Sequence, residues 1–410
     1  MSMSKISSGP LSGIRVVDFT HVWQGPVGTQ LLGDLGADVI KVERPGSGDW
    51  TRRWGPYANG VSMPFVGLNR NKRSIAVDVK TEAGISVVHE LIKNADVVVH
   101  NFRPGAMERL GLGYDSARAL NPRIIYASSS GWGDRGPYVD RKKAGHDVLL
   151  RAATGWFVKL SKDAYPVPAG LSLDYPAGLV LVIGILSALQ ARVTSGVGQE
   201  VTTDLFSVGC HANTWKASQE MNPDILDQDD GVGATEEIIN NSFRTKDGFI
   251  EISPVFSDNF LRDISVAMDL GDLSLDPRFH KMDDRVKNAK ELNEILDRRF
   301  TDMSTDQWIE KLEPKGILCG HINTFKEAIA DPQADENHMV VTMDVPHIGE
   351  TKMLGTPLRF SSTPPTYRNP PPLLGGQTME ILKELGYSTE VIEEMLTNGV
   401  VFNGNEGDVR

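Results

Sequence analysis

Over the first 130 positions, apolar residues gather in short dense runs separated by segments of helical spacing. The runs "IRVVDF" (14–19), "DVIKVE" (38–43), "SIAVDV" (74–79), "DVVVHNF" (96–102) and "RIIYASSS" (123–130) have strand length, and most are rich in β-branched residues. Between the first two, "TQLLGDLGA" sets Leu31, Leu32 and Leu35 at helical intervals. In "KTEAGISVVHELIKNA" (80–95), Ile85, Val88, Leu91 and Ile92 share one face, and Thr81 stands where an N-cap is needed. Strands buried on both faces read as near-continuous apolar runs. The alternation therefore predicts an α/β fold with a parallel sheet covered by helices on both sides.

Beyond this the pattern changes twice. Residues 141–225 read as mostly helical, and "GQEVTTDLFSVG" (198–209) as a strand running into a helix. Their most apolar run, Pro176 to Leu189, is shorter than the roughly 20 residues that cross a bilayer, so it is expected to be a core helix. "MNPDILDQDDGVGATEE" (221–237) is polar and turn-rich and marks a boundary near 226. A hairpin is expected over "FRTKDGFIEISPV" (243–255), with Lys246-Asp247-Gly248 as its turn. Charged helices follow, such as "DDRVKNAKELNEILDRRFTD". The tail carries "STPPTYRNPPPLLGG", an extended arm, and ends in one helix at "TMEILKELG". The expected organisation is a large domain over 1–225, a small one over 226–335, and a return arm over 336–410 that completes the large domain.

Composition narrows the function classes. The 410-residue chain is 40% hydrophobic and 23% charged, ordinary for a globular protein. A formal net charge of −12 argues against a nucleic-acid partner, although an anionic ligand could still be held in a local basic pocket. Cys210 and Cys319 are the two cysteines and stand far apart, so neither a disulfide framework nor a thiolate metal site is expected. "MSMSKISSGPLSG" has no apolar core, and a cytoplasmic location without a membrane is the expectation. "GWGDRG" (131–136) fits a dinucleotide-binding pattern, but "PYVDRKK" after it offers no helical face for a pyrophosphate. It is read as a glycine-rich pocket edge.

Two ionisable spots remain. Asp174, in "GLSLDYPAG" (170–178), opens the apolar run and either caps that helix or does chemistry, because an unpaired buried carboxylate is costly. His146 and Asp147, in "KKAGHDVLLRAATG", read as a helix start with the acid near the favourable end of the dipole.

Several stretches together resemble the class III coenzyme A transferase family, which includes formyl-CoA and carnitine CoA-transferases, with α-methylacyl-CoA racemase as a relative. They include "LSGIRVVDFTHVWQGPVGTQLLGDLGADVIKVERPGSGD" (11–49), "LNRNKRSIAVDVKTEAG" (68–84), "ADVVVHNFRPGAMERLGLGYD" (95–115) and "LNPRIIYASSSGWGDRGPY" (120–138). "GLSLDYPAGLVLVIGILSAL" (170–189), "TKDGFIEI" (245–252), "GTPLRFSSTPP" (355–365) and "ILKELGYS" (381–388) match too. The resemblance implies a Rossmann-like large domain built from both chain ends, a small inserted α+β domain, and an interlocked, ring-like homodimer.

The resemblance also implies an activity: CoA moves from an acyl-CoA to a carboxylic acid through a mixed anhydride and a thioester on Asp174. Asp147 supports the site, and the backbone near Trp23, Gln24 and Gly25 receives the oxyanion. Coenzyme A is expected against Val22, Arg44, Val77, Lys80, Asn101, Phe102, Arg109 and Lys143. It serves as substrate; no tightly bound cofactor and no metal are expected. The alternative is a 2-methylacyl-CoA racemase using His146 and Asp174 as its acid/base pair. The further acidic residue of the racemases is not evident in "EISPVFSDNF" (251–260). Two departures from the family pattern bear on substrate. Trp23 stands where some transferases have glutamine, and residues 230–245 carry no polyglycine loop, which counts against oxalate.

Overall fold

The computed structural model describes residues 9–159, 164–225, 239–254 and 257–404. The chain divides into two compact units, one of residues 1–220 with 336–410 and the other of 221–335.

The first unit is organised by strands β1 (Arg15–Asp18), β2 (Asp38–Glu43), the small pair β3 (Tyr57–Ala58) and β4 (Val61–Ser62), β5 (Lys72–Val77), β6 (Val97–His100), β7 (Ile125–Ser130), the small pair β8 (Phe157–Val158) and β9 (Val167–Pro168), and β10 (Glu200–Asp204). Six of them form one parallel array in the order β10-β7-β6-β1-β2-β5. A two-residue strand, Val401–Phe402, joins antiparallel beside β5. The chain leaves β1 toward β2 and β5, then crosses back to add β6, β7 and β10. This reversal between β1 and β6 is a topological switch point, where open parallel sheets leave a crevice at the carboxyl ends of the strands.

Successive strand residues face opposite sides, so each strand feeds two cores. Val17, Ile40, Ile75 and Val98 pack with Val87 and Leu91 of the helix predicted over 80–95. Ile381 and Ile392, from near the far end of the chain, complete that layer. On the other face, Val16, Val39 and Val97 meet Leu32, Leu181 and Ile185. Burying one such side chain is worth about 1.5–3 kcal/mol.

The helices of this unit up to residue 211 are α1 (Gln24–Asp34), α2 (Met63–Leu68), α3 (Glu82–Lys93), α4 (Ala106–Arg109), α5 (Tyr114–Leu120), α6 (Pro137–Asp140), α7 (Asp147–Ala153), α8 (Asp174–Ser195) and α9 (Leu205–His211). Thr81 caps α3 as expected, its hydroxyl accepting from the Gly84 N–H at 3.0 Å. α8 is longer than the apolar run suggested. Its 22 residues are apolar and long enough to cross a membrane by length and composition alone. Here one side of it packs on α1, β7 and β10.

α1 follows a parallel strand and α8 precedes one, so both begin at the carboxyl edge of the sheet. They cross where glycines remove the side chains. A Cβ on Gly178 would lie 2.5 Å from Val27 Cγ1 and 2.6 Å from the Gln24 carbonyl oxygen, and one on Gly28 would lie 2.9 Å from the Gly178 oxygen.

The tail corrects the expectation of a single helix. Helix Thr378–Glu384 is followed by a second, Thr389–Thr397. A hairpin of Val340–Val345 and Gly349–Leu354 precedes both. Its turn passes through His347 at φ 66°, with no Asn-Gly signal to mark it. The proline-rich stretch between runs without regular structure along α1 and β5. Thr366 donates to the Asp34 carbonyl, and Arg368 to those of Gly33 and Ala37. β5 begins two residues early because Lys72 is a buried polar strand residue, and it ends at Val77 where Asp78 starts a turn.

The second unit holds a three-stranded antiparallel sheet of Ser242–Arg244, Phe249–Ser253 and Leu318–His321, containing the expected hairpin. Phe243 stacks on Phe300 and Phe300 meets Trp308 edge to face at its core, and the Trp308 indole N–H donates to the Phe300 carbonyl at 2.8 Å. The boundary residues 226–238 lie outside the described residues.

Gly178→Ala forces a methyl group into the α1–α8 crossing. The expected outcome is a net loss of about 1–3 kcal/mol, read as a lower denaturant midpoint with an unchanged slope.

Candidate active site

The β1–α1 turn is held from beneath by charges. Asp18, at the end of β1, is fully buried. One of its oxygens accepts from the Thr20 N–H at 2.8 Å and hydroxyl at 2.6 Å, the other from the Thr29 hydroxyl at 2.7 Å. Lys72 Nζ lies 3.2 Å from that carboxylate, and Lys41 Nζ lies 2.9 Å from Asp49 while donating to the Thr20 carbonyl at 2.6 Å. Burial pushes the Asp18 carboxyl up, but Lys72 and Lys41 together with the Thr20 and Thr29 hydrogen bonds outweigh it and hold the group down at about 2.

Two more anchors define the turn. The His21 N–H donates to Asn101 Oδ1, and Asn101 Nδ2 donates to the His21 carbonyl, each at 2.8 Å. The Val22 N–H donates to Asp49 Oδ1 at 3.2 Å. Val22 itself adopts φ 70°, a left-handed conformation that a β-branched residue rarely takes. Trp23 is exposed, and Gln24 opens α1 with Nε2 donating to Ser129 Oγ at 2.6 Å.

Beside this turn lies a cavity of about 380 Å³. Asn101, Phe102, Arg109 and Lys143, all expected in coenzyme A binding, line it together, with Arg103 and Lys142 adding charge. Lys143 Nζ sits 4.3 Å from the ring centres of both Trp132 and Tyr138. Gly131 and Gly133, of the glycine-rich "GWGDRG", form one edge. Four cations around one pocket, with aromatic faces beside them, suit a polyanionic ligand that carries a planar ring.

The remaining expected binders are elsewhere. Arg44 follows β2 and Lys80 lies beyond β5; both are exposed and neither lines the cavity. Val77 is 1% exposed, sealed in the core beside Val401, and presents no side-chain surface to a ligand. Val22 is half-buried beside the cavity-lining residues rather than one of them.

Asp174 does not cap α8. Leu173 holds that position and Asp174 is the first helical residue. Among the described residues, nothing donates a hydrogen bond to its half-buried carboxylate. Asp147 Oδ1 accepts from the Leu173 N–H at 2.6 Å, and Asp147 Oδ2 lies 3.1 Å from Arg151 Nε. Burial first and the Asp147 charge second push the Asp174 carboxyl up to about 7, while Arg151 pulls it back. His146 precedes α7 with its side chain exposed. Asp174 is not among the cavity-lining residues; the two are joined through Gly145, on the cavity wall, and the Asp147–Leu173 bond.

Lys41, Asp49, Lys72 and Arg151 were not singled out from sequence. For Lys41 and Lys72 the available signal was charge inside apolar runs, since "DVIKVE" and "KRSIAV" each carry an ionisable residue where a strand must be buried; Asp49 and Arg151 lie outside such runs.

The structure thus holds a half-buried carboxylate of raised pKa and, at the switch point of a parallel sheet, a cationic pocket. The chain belongs to CoA-transferase family III, whose family model matches residues 11–378. It is 38% identical over 408 residues to an acyl-CoA transferase of Fusarium pseudograminearum, covering 96% of this chain and 89% of that protein. It is 37% identical over 399 residues to succinyl-CoA:glutarate CoA-transferase of Mus musculus, covering 96% and 91%. The solved structure of a CAIB/BAIF family protein from Brucella suis, 32% identical, matches 92% of this chain and 100% of its own with a TM-score of 0.79. The chain is an acyl-CoA:carboxylate CoA-transferase. These relatives lend the racemase alternative no support.

The raised Asp174 makes a stability prediction. From 3.8 to about 7 the folded state binds the proton that the unfolded chain has released, so this group's contribution falls as pH rises through that window. Asp174→Asn removes the titration. Its melting temperature, relative to the parent, is expected to be higher at about pH 8 than at about pH 4, measured by thermal unfolding at both.

Proposed function

We propose that Asp174 is the nucleophile of this transferase and that the reaction runs through two anhydrides and an enzyme thioester. The observation that carries this reading is the Asp174 carboxylate itself: half-buried, free of hydrogen-bond donors among the described residues, and raised to about 7. A carboxylate of raised pKa is a better nucleophile once ionised, and at neutral pH a large share of it is ionised.

An Asp174 oxygen attacks the thioester carbonyl, the C–S bond breaks, and CoA leaves as thiolate from an acyl-aspartyl anhydride. The thiolate attacks the aspartyl carbonyl, expelling the donor carboxylate and leaving an aspartyl-CoA thioester. An acceptor carboxylate attacks the same carbonyl, expelling the thiolate and forming a second anhydride. The thiolate then takes the acceptor acyl group, and Asp174 returns as carboxylate. Each tetrahedral oxyanion needs preorganised donors, for which the N–H groups of Trp23, Gln24 and Gly25 at the start of α1 are suited. Pro26 has no N–H to offer.

Coenzyme A is assigned to the cationic cavity, its phosphates against Arg109 and Lys143 and its adenine near Phe102, with Val22 and Asn101 along the approach to Asp174. Arg44 and Lys80 reach this ligand only if their exposed side chains swing toward it. Dicarboxylic acids are the acceptor class suggested by the relatives' names. A homodimer is part of the proposal, supported by the outward apolar residues Ile183 and Val193 of α8.

Trapping, mutation and calorimetry test it. Incubation with an acyl-CoA followed by hydroxylamine is expected to leave a hydroxamate on Asp174, found by peptide mass spectrometry. Asp174→Ala is expected to reduce transfer by about a thousandfold or more while keeping its circular dichroism spectrum. An alanine variant that transfers CoA at the parent rate would overturn the reading, as would α-proton exchange with solvent in the absence of an adduct. For the cavity, Arg109→Gln and Lys143→Gln are each expected to weaken CoA binding about tenfold by calorimetry.

A further inference from the structure

The loop that delivers Asp174, residues 170–173, has one support at each end, and both lead to the same side chain. At the far end, Asp147 Oδ1 receives the Leu173 N–H at 2.6 Å. The other oxygen of Asp147 is 3.1 Å from Arg151 Nε, one helical turn along α7. At the near end, Arg151 Nη1 points at the Gly170 carbonyl at 3.5 Å. The Arg151 backbone carbonyl receives the Trp156 N–H at 2.9 Å, and the Trp156 ring lies under Gly170, whose Cβ would come within 3.1 Å of it. Gly170 takes φ 67°, which lets the loop turn over that ring. Trp156 is itself fixed by its indole N–H donating to the Gly209 carbonyl at 2.9 Å.

We infer that Arg151 is the positioning residue of the nucleophile: acting through Asp147, it holds both ends of loop 170–173 and sets one cation and one anion beside the Asp174 carboxylate. This rests on reading Asp174 as the nucleophile. No family match or relative's name assigns any part to Arg151.

Charge and geometry make distinct demands here. Asp147 is 8% exposed, and its two oxygens are committed to different partners, so it cannot rotate without releasing one of them. Among the described residues, the charged groups acting on Asp174 are Asp147 and Arg151, both on α7. From α1, the residues met at the crossing are Val27, Gln24 and Gly28, none of them charged, and the Gln24 amide is bonded to Ser129. Removing the α7 anion therefore favours the Asp174 carboxylate, and removing the α7 cation disfavours it. A residue that mattered for folding alone would lower activity without choosing a direction on the pH axis.

The test is the pH dependence of kcat/KM, whose acid limb follows ionisation of the nucleophile in the free enzyme. Asp147→Asn keeps an acceptor for the Leu173 N–H and is expected to move the limb about one pH unit lower. Arg151→Met is expected to move it about one unit higher, with kcat reduced. Arg151→Lys retains the charge without the planar fork, so its limb stays near the parent position while kcat falls. It also serves if the methionine variant does not fold. Limbs that stay together in the asparagine and methionine variants, or a lysine variant that shifts as methionine does, would overturn the assignment. Hydroxylamine trapping on the parent protein separates the two ideas: no Asp174 adduct defeats the nucleophile, whereas an adduct with immobile limbs defeats Arg151 alone.

Discussion

Charge sealed beneath the β1–α1 turn is the constraint on which the rest of the site depends. Asp18, Lys41, Asp49 and Lys72 are each about 1% exposed or less, yet together they bond the N–H and carbonyl of Thr20 and the N–H of Val22. Arg52 and Glu43 extend the network outward, with Glu43 also receiving the Asp49 N–H at 2.9 Å. Breaking such a pair by deleting one partner leaves a buried charge, at a cost of about 3–5 kcal/mol, so the turn has few ways to relax. That rigidity matters because Val22 sits in a left-handed conformation worth about 1–3 kcal/mol of strain. A β-branched residue stays there only when its surroundings over-determine it. The bend it makes decides where α1 begins.

From that start the geometry propagates through glycine. Gly28 and Gly178 let α1 and α8 approach closely, one turn beyond Gln24 and one turn beyond Asp174. Two helix starts are thereby brought to the same edge of the sheet. A helix N-terminus favours an anion, which on its own would keep Asp174 ionised at low pH. Burial and Asp147 win instead, because the carboxylate is withdrawn from water and faces a like charge. The outcome is a group held between its two forms near neutral pH.

Most of the larger fold was legible in the chain, since β-branched runs spaced by amphipathic helices permit little else. Asp174 stood out because a lone acid opened an apolar run, and the cavity's Asn101, Phe102, Arg109 and Lys143 came with the family motifs. Other features left no local mark. Val77 lies among the matched motifs, yet pairing with Val401, more than three hundred residues away, seals it in the core. The network of Lys41, Lys72 and Asp49 depends on which strands lie side by side, and spacing along the chain does not encode that order. The hairpin at 340–354 was hidden because its turn uses His347 at positive φ rather than Asn-Gly. Arg151 left no local mark beyond its i,i+4 spacing from Asp147, because its other partner, the Gly170 carbonyl, lies in loop 170–173.

The distribution of charge also bears on the order of events. A chain of net charge −12 gathers Arg103, Arg109, Lys142 and Lys143 around the cavity, while the carboxylates Asp147 and Asp174 stand together apart from it. An incoming acid would meet a like-charged Asp174 whenever that residue is ionised, and repulsion in a partly desolvated site is strong. On the reading of Asp174 as nucleophile, converting it to a thioester removes one of those negative charges. The repulsion that keeps a free acid away from the resting enzyme is then lowered at the stage when that acid is needed. On that reading, exclusion before the first half-reaction and admission after it rest on a single covalent bond.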